Sequence, residues 1–147
     1  TSTLSLAASS VNSGSSVLAT LTLRDANSNQ LTSGGRTVVF GRTGGTSTGS
    51  FGVTTDVGDG TYTGSFTGAV AGTATTITAS VDGSAITSTL PTVTVNPGPV
   101  SLSQSTISVS ASTIVVGNTS TITLQAKDAA GNNLTSGGLT VAFARSG

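Results

Sequence analysis

The 147-residue chain carries five basic and five acidic groups and no net charge, so it has no basic stripe with which to neutralise nucleic-acid phosphates or an anionic membrane surface. Cysteine, methionine, tryptophan, histidine and glutamate are absent, which excludes zinc and other thiol- or imidazole-ligated metals and any histidine-based catalysis. Ser and Thr, about a third of the chain, replace charge as the groups that face water, and β-branched Thr suits a pleated, half-exposed surface.

Residues 3–8 alternate Leu4, Leu6 and Ala8 against polar neighbours, the period-two pattern of a strand with one wet face. After a turn at 12–14, a second strand sends Val17, Ala19, Leu21 and Leu23 inward and runs out at Arg24 and Asp25. Loop chemistry follows, in which Asp and Asn side chains bond nearby backbone amides. Gly34 and Gly35 lead to a strand with Val38 and Phe40 inward.

Residues 43–50 read as a flexible loop or weak edge strand, and the next strand centres on Phe51 and Val53. A tight turn at 57–60 precedes Tyr62, Gly64 and Phe66 on one face, with hydroxyl residues on the other. Tyr62 is expected in the core or at its rim, its hydroxyl bonded to backbone. Residues 73–81 place Ile77, Ala79 and Val81 inward, and Asp82 with Gly83 is a strong hairpin signal because a type I′ turn needs positive φ at both central positions. The returning strand carries Ile86, Ser88 and Leu90 and then, across Pro91, Val93 and Val95. The phase slips by one at the proline, which predicts a bulge or an edge position there.

Asn96, Pro97, Gly98 and Pro99 form a short, stiff linker, after which the text begins again. Residues 25–44 (DANSNQLTSGGRTVVFGRTG) reappear at 128–147 (DAAGNNLTSGGLTVAFARSG) with an offset of 128 − 25 = 103. Laying 1–44 on 104–147 gives 21 identities, among them Gly14/Gly117, Asp25/Asp128, Phe40/Phe143 and Arg42/Arg145. Ile107, Val109, Ala111, Ile122, Leu124, Ala126, Val141 and Phe143 are therefore expected inward in the second copy.

No window has helical periodicity. About seven short antiparallel strands with turns every 8–12 residues predict an all-β, immunoglobulin-like sandwich in tandem. The expected organisation is a complete domain at 1–96, a linker at 97–100, and the N-terminal part of a second domain at 101–147. A period of about a hundred residues suits beads on a string better than a solenoid.

Residues 55–95, with GDGTYTGSF at 58–66, resemble bacterial immunoglobulin-like repeats of the invasin/intimin type, and that segment also resembles filamin-type repeats. The spacing Asp25, Asn29, Gly35, Val38, Phe40 is similar to the family's D-x-x-G-N…G…V-x-F pattern, which Gly131 and Asn132 follow more closely than Ser28 does. The resemblance implies an extracellular, secreted or cell-surface, non-catalytic repeat, one of the rigid spacers that carry an adhesive tip away from a bacterial cell.

Hidden chemistry is weighed against that reading. The pentapeptide 45–49 (GTSTG) matches G-x-S-x-G, but Ser47 has no histidine to activate it and no helix follows. Of the aspartates Asp25, Asp56, Asp59, Asp82 and Asp128, most sit at turns with ordinary structural work, and a hydrogen-bonded turn outweighs calcium at Asp56 and Asp59. The linker has no carboxylate for a junctional cation. Lys127, the single lysine, stands where the first copy has Arg24, which argues against a shared isopeptide crosslink. Asn118 and Asn133 head N-glycosylation sequons that matter only in a eukaryotic source, and a single Tyr with no Trp leaves little platform for sugars. No catalytic, cofactor or metal residue is assigned, and the expected partners are neighbouring repeats.

No apolar run approaches the roughly 20 residues of a membrane helix. Thr1 opens inside a strand pattern without a signal peptide and Gly147 falls after the third strand of copy two, as expected of a portion of a longer array. Three functional readings stay open: a structural spacer, a self-assembling filament subunit whose neighbours complete or pair with the partial domain by strand addition, and a module that binds a glycan or receptor through loops 26–35 and 43–50.

Overall fold

A computed structural model describes residues 1–145; Ser146 and Gly147 lie outside the described residues. Ten strands occupy the first copy: β1 (Thr3–Leu6), β2 (Ser10–Asn12), β3 (Ser16–Thr22), β4 (Val38–Thr43), β5 (Thr48–Phe51), β6 (Thr55–Asp56), β7 (Thr61–Val70), β8 (Thr75–Val81), β9 (Ser84–Ala85) and β10 (Thr92–Asn96). β11 (Val100–Val109) and β12 (Ile122–Asp128) follow, and the described chain contains no helix.

One sheet runs β1-β3-β7-β5 with β6 also on β7, and the other runs β2-β10-β8-β4 with β9 on β8. Alternation along β3 and β7 turns Val17, Ala19, Leu21, Tyr62 and Phe66 to one side, where they meet Phe40, Ile77, Val93 and Val95 from the opposite sheet in one buried cluster. This is the immunoglobulin-like sandwich that the strand pattern predicts, with most Ser and Thr residues on its wet faces and Ser47 and Thr75 buried. Phe40, Phe51 and Phe66 form a chain of rings with centroids 5.5 and 5.2 Å apart. With no Cys or Trp in the chain, these rings are aromatic packing of the core in place of a Cys–Trp–Cys centre.

The ten segments exceed the seven expected because two predicted strands are interrupted and a further strand, β2, forms beyond the one expected at 3–8. The chain leaves one sheet after Leu6 and re-enters the other as β2, parallel to β10, so Ala8 lies exposed in the crossing. The strand centred on Phe51 and Val53 stops at Phe51, and Val53 is 92% exposed in the gap before β6. The strand returning from the hairpin is only β9; the Ile86 N–H still bonds the Ala79 carbonyl at 3.1 Å, Leu90 packs on the core from outside any strand, and β10 begins just after Pro91. Proline has no N–H to give a ladder. Pro91 accepts instead, its carbonyl taking the Ile77 N–H at 2.9 Å.

The hairpin itself is as expected, with φ of 50° at Asp82 and 83° at Gly83 between paired Val81 and Ser84. Tyr62 is 1% exposed and its hydroxyl accepts the backbone N–H of Arg36 at 2.9 Å.

β11 and β12 pair with each other and form a separate two-stranded sheet. Their register Thr106↔Gln125, Ile107↔Leu124 and Val109↔Ile122 repeats Thr3↔Thr22, Leu4↔Leu21 and Leu6↔Ala19 of β1 and β3. Several second-copy residues expected inward are not covered: Ile107, Val109 and Ile122 are exposed, and Val141 and Phe143 are 46% and 52% exposed outside any strand. Among the described residues no second sheet packs over this ribbon, so period-two alternation has no core to point into there.

Candidate functional site: a polar joint

Asp25 follows β3 and Asp128 ends β12, corresponding strands of the two copies, and each has an Asn four residues on. An Asp at such a reversal caps backbone amides that have no ladder partner. Asp128 Oδ1 accepts the N–H groups of Ala130 (2.9 Å) and Asn132 (2.8 Å), and Oδ2 accepts Asn132 Nδ2 at 2.8 Å. Asp25 Oδ1 accepts those of Asn27 and Asn29, both at 2.9 Å, and Oδ2 accepts Asn29 Nδ2 at 3.1 Å.

The frame of the loop is repeated as well. The N–H of Asp25 meets the Asn29 carbonyl at 2.9 Å, as that of Asp128 meets Asn132 at 2.9 Å, and the bridges Arg24↔Gln30 and Lys127↔Asn133 correspond. One strand back, Ser2 Oγ accepts the Arg24 N–H at 3.1 Å and Ser105 Oγ the Lys127 N–H at 3.0 Å. Lys127 and Arg24 thus share a structural position.

The two loops differ in what sits on them. From β10 the chain passes through Pro97, Gly98 and Pro99 into β11, whose Val100 and Ser101 pair with Asp128 and Lys127. The Gly98 N–H points at Asp128 Oδ2, 2.9 Å away. Asn132 reaches across to the end of β7 and the β7–β8 connection, accepting the Ala71 N–H at 3.0 Å on Oδ1 and donating Nδ2 to the Ala69 carbonyl at 2.9 Å. Gly98 is a steric requirement, since a Cβ there would stand 2.9 Å from the Ser13 carbonyl oxygen.

Asp128 is 1% exposed. Burial pushes its pKa up, but the Asn132 side chain and the backbone N–H groups of Gly98, Asn132 and Ala130 outweigh burial and hold it at about 2. Each carboxylate oxygen carries two N–H donors, so the lone pairs a hard cation would need are already engaged. This carboxylate is a clamp between two parts of the chain. Sequence reasoning looked for a junctional carboxylate within the linker and missed one supplied from 30 residues downstream; the D-x-x-x-N spacing was visible, but it reads the same in both copies.

The remaining candidates are dispersed. Asp56 accepts the N–H groups of Gly35 (2.6 Å) and Gly58 (2.9 Å), which hold its carboxyl below the usual range, and Asp59 Oδ1 accepts the Thr61 N–H at 3.0 Å. Asp82 takes the Thr37 N–H at 3.0 Å and an exposed ion pair from Arg36 at 3.1 Å. Ser47 is buried and its Oγ accepts the Val95 N–H at 2.9 Å, so the hydroxyl of the G-x-S-x-G match is engaged in tying β10 to the turn before β5. Among the described residues no three Asp side chains gather as a metal group would. Asn118 and Asn133 are exposed. Loops 26–35 and 43–50 lie at opposite ends of β4, and the second includes the edge strand β5.

Residues 1–98 match the family model for invasin domain 3. Among solved structures, the chain is 28% identical to the Escherichia coli adhesin FdeC (TM-score 0.68) over 91% of this chain and 42% of that one. It is 28% identical to invasin, a bacterial integrin-binding protein (TM-score 0.67), over 91% of this chain and 27% of that one. It is 30% identical to the Yersinia pseudotuberculosis adhesin InvE (TM-score 0.65), over 87% of this chain and 34% of that one. The chain therefore spans less than half the length of each of these structures. No curated protein matches the sequence.

Proposed function

Since the chain belongs to the invasin domain 3 family of immunoglobulin-like, non-enzymatic adhesin modules, we propose that it is a spacer segment of a bacterial surface adhesin. In this reading residues 1–96 are one complete domain, 97–100 the linker, and 101–147 the opening part of the next domain. The protein is secreted or surface-anchored, and its partners are its own neighbouring repeats. The similarity to FdeC, invasin and InvE supports the adhesin context.

The observation that carries the spacer role is the clamp of Asp128 on Gly98. A tether would need only a chain of the right length. Here a prolyl linker is also fixed by a buried, fully hydrogen-bonded carboxylate and by Asn132 on the β7–β8 connection, which together resist bending. Reach and stiffness are what a stalk contributes to an adhesive tip. The ligand-module reading draws no support from loops placed at opposite ends of a strand.

Small-angle scattering on successive tandem extensions of this sequence tests the proposal. A stalk adds a constant increment to the maximum dimension per repeat of 103 residues. A radius of gyration that grows as for a flexible chain, or a compact particle, rules it out.

A further inference from the structure

The loop of Asp25 and Asn29 reproduces the Asp128–Asn132 loop bond for bond but lacks the linker amide and the two contacts to a neighbouring connection. Asp25 Oδ2 carries one hydrogen bond where Asp128 Oδ2 carries two, and Asn29 is exposed where Asn132 Oδ1 holds the Ala71 N–H. The loop borders a hollow of about 530 Å³ whose walls include Leu23, Asp25, Ala26, Leu31 and Ile86, open at the same pole as Thr1.

An Asp held in a polar turn needs only its local amides. The structure shows that this particular turn, when a linker is threaded past it, captures a glycine N–H and the peptide groups of the preceding unit. The acceptor groups that do so are already oriented in the first copy by the same internal bonds.

We infer that the 25–29 loop is a preformed socket for the C-terminal pole of another unit of the same kind placed ahead of it. A second copy of residues 1–103 is the occupant with the right chemistry. Its Gly98 N–H goes to Asp25 Oδ2, its Ala71 N–H to Asn29 Oδ1, and its Ala69 carbonyl accepts Asn29 Nδ2. Direct fusion of 1–103 to Thr1 places Asp25 at position 103 + 25 = 128, the spacing from Gly98 that the observed joint uses. The charge pattern agrees, because these are N–H-to-carboxylate and amide contacts that need no cationic partner in a chain with five basic residues. The inference rests on the spacer reading and specifies how successive spacers couple: each unit offers a linker at one pole and an acid–amide socket at the other.

The test is amide hydrogen exchange, followed by NMR, on that fusion ahead of the full 147-residue chain. It contains the new joint and, unaltered, the old one. The Gly98 and Ala71 amides of the added copy are expected to exchange at rates within threefold of their counterparts at the Asp128 joint. The substitution Asp25→Ala in the fusion should speed exchange of the added copy's Gly98 amide at least tenfold and leave the Asp128 joint unchanged.

The Leu31 amide, bonded to the Leu23 carbonyl at 3.0 Å, reports whether the loop frame survives the substitution. If that frame is lost, the unsubstituted fusion decides alone. Rapid, linker-like exchange of the added Gly98 amide in the unsubstituted fusion overturns the socket while the Asp128 joint stays protected. Rapid exchange at both joints overturns the spacer reading as well.

Discussion

The Asp128 carboxylate, 1% exposed, accepts the backbone N–H of Gly98 at 2.9 Å, so its hold on the linker depends on an ionised acid. Its pKa of about 2 lies below the ordinary 3.8. For a depressed acid the stabilisation is complete above the unfolded value and disappears as pH falls through the folded one. The joint is therefore fully clamped at neutral pH, begins to loosen near pH 4 and is released by about pH 2, with on the order of 2 kcal/mol at stake. Protection factors of the Gly98 and Ala71 amides, corrected for intrinsic exchange, should fall across that window. In Asp128→Asn they should lose the pH dependence. A flat profile in the unsubstituted protein would remove the clamp from the argument.

Ala19 and Gly64 stand opposite each other in β3 and β7, and the Phe40 ring from the facing sheet fills the room they leave. A Cβ on Gly64 would lie 2.6 Å from Phe40 Cδ2, and Phe40 is itself stacked on Phe51. Gly64→Ala should destabilise the sandwich by about 1–3 kcal/mol through overpacking. Adding Phe40→Leu should cost less than the sum of the two single changes, because the smaller side chain accommodates the methyl group. Urea unfolding of the four proteins in this cycle checks the sign of the coupling.

Much of the sandwich was legible because its signals are local. The alternation Val17, Ala19, Leu21 and Leu23, and the Asp82 and Gly83 turn, each state a face or a reversal within a few residues. What the sequence hid depends on distant partners. Val53 alternates like a core residue, yet it falls in the gap between β5 and β6 and points into water. The move of the first strand from β3's sheet to β10's is decided by competition between two sheet edges, which no pattern in residues 3–12 encodes. The joint is the plainest case. Asp25 and Asp128 have the same spacing and the same loop, and only the tertiary position of Gly98 makes one of them a buried clamp.

Tyr62 reaches from the first sheet to accept the Arg36 N–H at 2.9 Å, anchoring the long connection between β3 and β4 as it enters β4 of the second. Tyr62→Phe keeps the ring in its buried place and leaves that amide without its partner, so a loss of about 1–2 kcal/mol is expected. The change should appear as a lowered denaturation midpoint with an unaltered m-value and as faster exchange of the Arg36 amide. An unchanged Arg36 amide would mean that the connection is held by Asp56 and Asp82 without the phenol.

Ser28 and Gly131 occupy the same turn position, and both adopt positive φ, 67° and 85°. Glycine enters this region freely, whereas a side chain there crowds the following carbonyl at a cost of roughly 1–2 kcal/mol. Asn and Asp relieve part of that cost by local hydrogen bonds, which Ser does less well. The strain in the first copy is tolerated because the Asp25 carboxylate bonds the amides of Asn27 and Asn29 on either side, fixing the turn regardless of what lies between. Ser28→Gly makes the loop like its counterpart and should raise stability by about 0.5–1 kcal/mol, less than the full strain because glycine also widens the unfolded ensemble. Thermal unfolding of the pair measures it. A destabilised variant would show that Ser28 contributes through its hydroxyl, which lies 3.5 Å from the Thr1 amino group, more than its backbone costs.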